Sequence, residues 1–129
     1  MQLDVSKSTP QDFANLFKEG EQTSIVVNNA GIMKNQKLLQ SDPALLERMI
    51  KTNVHPYVYM SKYAMQHFAS NAADHSHLNA LVYVSSVAAF VYGPYYGPYA
   101  STKVHNWHLA NLVRQTCKKS SQIGDLVTV

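Results

Sequence analysis

The sequence predicts an α/β fold, a doubly wound parallel sheet with flanking helices, on three observations. Short apolar, β-branched runs recur at residues 24–28, 80–84 and 126–129. Stretches of helix length, with apolar residues at helical spacing, separate them. The runs are too uniformly apolar to alternate, which is the pattern of strands covered on both faces rather than of a sheet with one wet side.

Thr9-Pro10-Gln11-Asp12 opens the first helix. Thr9 is placed to cap it, Pro10 suits the first position because its missing N–H would be unpaired there anyway, and Asp12 completes a capping box. Phe13, Leu16 and Phe17 supply the buried face, and Gly20 ends the helix. Ser24-Ile25-Val26-Val27-Asn28 follows as the first strand. Ser41-Asp42-Pro43 then opens a long helical stretch whose core face runs through Leu46, Met49, Ile50, Asn53, Tyr57, Met60, Ala64 and Phe68. Pro56 lies inside that stretch, where it cannot donate to the carbonyl of Thr52 and forces a kink. A polar connector at 71–78 leads to the second strand, Ala80-Leu81-Val82-Tyr83-Val84, which ends in Ser85-Ser86. A third helix runs from Pro98 to Lys119, and Gly124-Asp125 turns into the third run, Leu126-Val127-Thr128-Val129.

With 129 residues, 46% apolar and 15% charged, the chain reads as a single globular domain, 1–129, and not as a disordered segment. Its net charge of +3 comes from scattered lysines and arginines. The densest run, Lys118-Lys119, suits a solvated helix end better than a phosphate-binding patch, so no nucleic-acid partner is expected. A lone cysteine, Cys117, excludes an internal disulfide and points to the cytoplasm or another reducing compartment. The Met1-Gln2-Leu3-Asp4 start lacks the basic and apolar regions of a secretory signal, and no apolar run is long enough to cross a bilayer. Membrane association would need segments outside this sequence. Six histidines include His67, His75, His77 and the His105/His108 pair, but no carboxylate or cysteine completes a ligand set, so no metal is expected.

The residues that carry chemistry lie at the predicted strand ends. Tyr99 and Lys103 are four apart on one helix face, Ser86 stands thirteen positions before Tyr99, and Asn53 precedes the Pro56 kink. Alone, a Tyr-x-x-x-Lys pair equally fits a surface tyrosine packed on a lysine stem. Together with the Asn28-Asn29-Ala30-Gly31 turn, and in this order and spacing, these residues resemble the classical short-chain dehydrogenase/reductase family over essentially the whole chain. The resemblance implies a partial Rossmann-like sheet, with three central strands and flanking helices and the first βαβ unit missing from this sequence.

It also implies roles. Tyr99 becomes the general acid/base toward a carbonyl or alcohol. A free phenol, with a pKa of about 10, needs the Lys103 ammonium beside it to favour phenolate. Lys103 also holds the nicotinamide ribose hydroxyls, and Ser86 orients the reacting carbonyl. Asn53 anchors a water that relays protons, for which a kinked helix offers an unpaired backbone carbonyl. The alternative is that Asn53 caps the break through bonds to local backbone. Asn29, Ala30 and Gly31 form the wall beneath the cofactor ribose, Gly31 allowing close approach. Asn28 ties neighbouring strand ends, and Met1–Val5 is the tail of a preceding strand whose Asp4 and Val5 contact adenine. The implied cofactor is NAD or NADP, with no residue here to separate them, and the implied substrate is a small-molecule carbonyl or alcohol.

The tandem Tyr92-Gly93-Pro94-Tyr95 and Tyr96-Gly97-Pro98-Tyr99 links Ser86 to Tyr99. Phe90, Tyr92, Tyr95 and Tyr96 either line a pocket for a hydrophobic ketone or alcohol, as in the hydroxysteroid and long-chain ketoacyl branches of the family, or simply pack. A homo-oligomer through the helices at 43–69 and 98–119 is expected on the same resemblance. The sequence departs from the family in holding no G-x-x-x-G-x-G or G-x-G-x-x-G turn to seat a pyrophosphate. Part of an enzyme domain, inactive alone and exposing an apolar edge beside residues 24–28, is therefore the expectation. Two other functions stay open: a non-enzymatic remnant acting as a structural or interaction subunit, and a nucleotide-binding module without redox chemistry, which would have no use for Tyr99, Lys103 and Ser86 together.

Overall fold

The computed structural model describes residues 2–18, 23–71 and 79–119. Gly20, the connector residues 72–78 with His75 and His77, and the third apolar run at 126–129 lie outside these residues.

Among the described residues two strands form the sheet, β1 (Ile25–Asn28) and β2 (Ala80–Tyr83). They run parallel, with Ile25 opposite Ala80 and Asn28 opposite Tyr83. The ladder extends at both ends, since Ala80 N–H donates to the Ser24 carbonyl at 2.8 Å and Val84 N–H to the Asn28 carbonyl at 2.9 Å. A parallel pair needs a long crossover, here supplied by two helices, α2 (Pro43–Asn53) and α3 (His55–Ser70). The result is a partial Rossmann-like α/β fold.

The strands are not covered on both faces, as their composition suggested. Val26 and Asn28 are buried, whereas Ile25 and Val27 are 64% and 56% exposed. One sheet face meets α3 and the last helix, α4 (Gly97–Lys119), and no described element covers the other. A β-branched run records that its residues favour a pleated backbone, not how many layers will pack against it.

The first helix, α1 (Pro10–Ala14), starts as its local chemistry dictates. Thr9 Oγ1 accepts from Asp12 N–H, and the Asp12 carboxylate accepts from Thr9 N–H at 2.8 Å. It is shorter than its pattern implied and tightens into a 3-10 turn over Asn15–Phe17. Phe13, 1% exposed, stacks on Tyr59 at 5.7 Å between ring centroids, and Phe17 packs against the main core.

The stretch read as one kinked helix is two helices meeting at Val54 (φ −116°, ψ −61°). Val54 N–H still closes α2 on the Ile50 carbonyl at 3.0 Å, and Val58 N–H opens α3 on the Val54 carbonyl at 3.3 Å. Pro56, in the first turn of α3, has no N–H to offer Thr52, so the helix must restart there. Most of the expected core face is buried: Met49, Asn53, Tyr57, Ala64 and Phe68. Leu46 and Met60 are half-buried, and Ile50 is 46% exposed, because α2 turns that side to a cleft against α4 that it lines with Leu38, Leu46 and Pro98. The core itself gathers Val26, Leu81 and Tyr83 from the sheet, Tyr57, Ala64 and Phe68 from α3, and Val113 and Cys117 from α4. No described helix is long and apolar enough to cross a membrane.

Candidate active site

The carboxyl ends of the two parallel strands lead into the Asn29–Gly31 turn and into Val84–Ser86, and the end of α2 and the first turns of α4 lie against them. Asn53 joins these parts. Fully buried, its Oδ1 accepts from Ile32 N–H at 2.8 Å, while Nδ2 donates to the Ile32 carbonyl at 2.9 Å and to Thr102 Oγ1 at 3.1 Å. The side-chain amide thus pairs with Ile32 much as a neighbouring strand would. This corrects the local-cap alternative, since the partners lie 21 and 49 residues away; the helix break frees Asn53 to reach the loop after β1 instead. Thr102 passes the connection on by donating to the Tyr99 carbonyl at 2.7 Å.

Lys103 is buried, 3% exposed. Its Nζ donates to the Val84 carbonyl at 2.8 Å and lies 5.7 Å from the ring centroids of both Tyr57 and Tyr99. Burial pushes its ammonium below the ordinary value of 10.5. A Cβ at Gly31 would sit 3.6 Å from both Lys103 Nζ and Asn53 Oδ1, so anything larger than a methyl there would intrude on the two of them. The Val84 carbonyl also accepts from the Tyr57 hydroxyl at 3.1 Å. Burial, and then the proximity of Tyr99, push the Tyr57 phenol up to about 12, so it remains a donor at every ordinary pH.

Ser85, not Ser86, ties β2 to α4, its Oγ donating to the Lys103 carbonyl at 2.9 Å. Ser86 Oγ accepts from Ala88 N–H at 3.2 Å and caps the 3-10 turn Val87–Phe90. Among the described residues no hydrogen bond joins Ser86 to Tyr99 or Lys103. Asn53, Tyr99, Lys103 and Gly31 are therefore brought into one cluster, with Ser86 at its strand-end rim.

Two readings need correction. Asp4 and Val5 do not continue a strand. Val5–Lys7 form a turn, in which the Asp4 carboxylate accepts from Ser6 N–H at 3.1 Å and Ser6 Oγ at 2.7 Å and lies 3.6 Å from Lys7 Nζ. An Asp two residues before a Ser offers this local turn, and it wins where no ladder partner holds the backbone extended. Asn28 ties the strand ends through its backbone carbonyl, while its buried Nδ2 has no partner among the described residues. The loop aromatics do not line the apolar cleft. Tyr92 is wholly exposed, Phe90 stands edge-on to Trp107 at 5.5 Å, and Tyr95 lies under the Lys37 ammonium at 5.5 Å. The outer end of the Tyr96 ring occupies the space a Cβ at Gly93 would need, so a side chain there would displace that ring.

Sequence reasoning also missed Tyr57 and Thr102. Helical spacing places Tyr57 in the core, and nothing in the sequence marks its hydroxyl. Thr102 adjoins Lys103 and has no signal beyond that.

A buried ammonium is costly to fold around, and Lys103 has no carboxylate partner among the described residues. Lys103→Met should therefore stabilise the fold at neutral pH by about 1 kcal/mol, read in thermal melts as a gain of about 4 °C. The sign follows from linkage. With the folded value below 10.5, the unfolded chain binds more protons through that window, so stability from this group rises with pH there. The gain from methionine is accordingly full below the folded value and fades as pH approaches 10.5. A lower melting point for Lys103→Met at neutral pH would contradict this.

A tyrosine and a buried lysine are gathered at the strand ends of a parallel α/β sheet, the place where open α/β sheets bind their ligands. The short chain dehydrogenase family model matches residues 1–125, and the chain belongs to that family. It is 32% identical over 96 residues to the L-rhamnose 1-dehydrogenase (NAD(P)(+)) of Sphingomonas sp. (strain SKA58), a match covering 74% of this chain and 36% of that protein. In structure it resembles the bulky-bulky ketone specific alcohol dehydrogenase from Comamonas testosteroni, with a TM-score of 0.79 at 15% identity, covering 99% of this chain and 55% of the other. A short-chain dehydrogenase from Sphingobium yanoikuyae in complex with NADPH gives a TM-score of 0.80 at 20% identity over 98% of this chain and 48% of that one. The chain thus spans about a third to a half of the length of these relatives.

Proposed function

We propose that this chain supplies the proton-transfer part of an NAD(P)-dependent oxidoreductase acting on a carbonyl or alcohol. The observation that carries the reading is the burial of the Lys103 ammonium within 5.7 Å of the Tyr99 ring, with the backbone around both locked by Asn53 and Thr102. Family membership and the named cofactors of the rhamnose dehydrogenase and the NADPH complex support it.

The residues present fit the ribose end of a nicotinamide nucleotide. Lys103 has one protein acceptor among the described residues, which leaves two ammonium N–H groups for hydroxyls, and Gly31 keeps the space beside it free of a side chain. Asn29, Ala30 and Gly31 would wall that space. When bound, the nicotinamide supplies or takes up hydride. Tyr99 gives a proton to the carbonyl oxygen in reduction or removes one from the alcohol in oxidation. Lys103 sets its positive charge beside the Tyr99 ring. Ser86, pinned by its turn, orients the carbonyl. Asn53 has both amide N–H groups committed, so a relaying water would be held by the backbone at the helix break and by the remaining Oδ1 lone pair.

The chemistry of the surroundings favours a hydrophobic substrate. Leu38, Leu46, Met49 and Ile50 line the cleft that Pro98 and Gly97 close beside Tyr99, and Phe90 and Tyr92 stand exposed next to Ser86. A second reading, an interaction subunit, draws on the exposed Ile25 and Val27 face of the sheet, which suits a protein partner or a second copy.

Titrating NADH and NADPH separately against the full-length protein that carries this chain, then following consumption of the bound form with hydrophobic ketones and with small sugars, tests the reading. Saturable binding of one form and carbonyl-dependent oxidation are expected. Absence of binding by both overturns the enzyme in favour of the interaction subunit.

A further inference from the structure

We propose that Tyr57 is a positioning residue for Lys103, holding the ammonium between its own ring face and the Val84 carbonyl that its hydroxyl shares. Two contacts converge on this. The Lys103 Nζ lies 5.7 Å from the Tyr57 ring centroid, within the range in which a cation is drawn to an aromatic face. The same Nζ and the Tyr57 hydroxyl both donate to Val84 O, at 2.8 and 3.1 Å. That oxygen has two lone pairs, so it serves both donors and ties the lysine head to the tyrosine rim.

Tyr57 is itself rigid, being 1% exposed and packed against Tyr83 at 6.3 Å between ring centroids. Tyr83 is in turn held through its hydroxyl by Ser61. A lysine has a long flexible stem and loses much rotamer freedom when fixed. Here the fixing is done from α3, an element the reaction itself does not use. Among the described residues Lys103 is faced by Tyr57 from α3, Tyr99 from its own helix and the Val84 carbonyl after β2, while the Asn53 amide flanks the same space beside Gly31. Among the described residues no carboxylate or second cation contributes, and burial is the cause of its lowered value. The two ring faces add to the support that the Val84 carbonyl gives the ammonium, and Tyr57 contributes both to where it stands and to how readily it stays charged. Its consequence for turnover rests on Lys103 acting as proposed above; the positioning itself does not.

The test reads Lys103 without cofactor or substrate, so failure of the oxidoreductase reading would leave it interpretable. Lysine side-chain carbon resonances are followed against pH by NMR in the full chain, with Lys103 assigned by the loss of its signal in Lys103→Met. Tyr57→Phe, which keeps ring and volume, is compared with the same position carrying 3,4,5-trifluorophenylalanine, whose face is stripped of negative potential at nearly the same size. Melting points of the two proteins check that both are folded. The Lys103 midpoint should fall by about half a pH unit from the phenylalanine to the fluorinated protein. Coincident midpoints in the two folded proteins overturn the assignment.

Discussion

Replacing Tyr99 by Phe should lower turnover by two to four orders of magnitude, the usual worth of a positioned proton donor, while leaving the melting point almost unchanged. The two halves of this expectation have separate physical grounds. The hydroxyl takes part in no hydrogen bond among the described residues, and Tyr99 is only partly buried, so its removal orphans no polar group. The tyrosine's structural connection runs instead through its backbone carbonyl, which accepts from Thr102 and survives the substitution. Cofactor affinity should also hold, because Lys103 keeps its Val84 bond and the ring face of residue 99 remains beside it. Steady-state kinetics with the carbonyl found in the screen, together with a cofactor titration of the variant, make the measurement. Turnover within a few-fold of the native protein would remove Tyr99 from the chemistry and with it the reading of the site.

How much of this was legible depended on distance along the chain. The α1 start was readable to the residue because Thr9, Pro10 and Asp12 settle it among themselves. The break at Val54 was readable as a disturbance because proline's missing N–H is a local fact. What the break accomplishes was not readable, since Asn53 reaches Ile32 and Thr102 only after the sheet and α4 have set the distances. Tyr57 shows the same limit. Its apolar body and helical spacing placed it in the core, but no pattern in sequence announces that its hydroxyl and a lysine forty-six positions later will share one carbonyl. Strand coverage failed for a different reason: Ile25 and Val27 look alike to a propensity rule whether a layer lies over them or not. The Tyr99/Lys103 pair was legible because helical geometry alone places residues four apart on one face.

Asn53 and Asn106 allow the second large effect to be separated from burial itself, since both are fully buried asparagines. Asn53→Leu removes the partner of Ile32 N–H, of the Ile32 carbonyl and of Thr102 Oγ1 in one step. Each orphaned group costs about 1 to 3 kcal/mol, so a loss of about 3 kcal/mol or more is expected, a large share of the roughly 5 to 15 kcal/mol that holds a domain. Asn106 Nδ2 has no partner among the described residues, and Oδ1 meets only the neighbouring His105 ring at 3.1 Å. Asn106→Leu removes an unmet polar group as well as adding apolar volume, and should change stability by less than about 1 kcal/mol. Urea unfolding of both variants compares them directly. Equal losses would mean that size, not hydrogen bonding, governs these positions. The expected asymmetry would also show that turnover in Asn53→Leu cannot isolate a proton relay, because that variant loosens the contact between α2, the loop after β1 and α4 that holds Tyr99 and Lys103 in register.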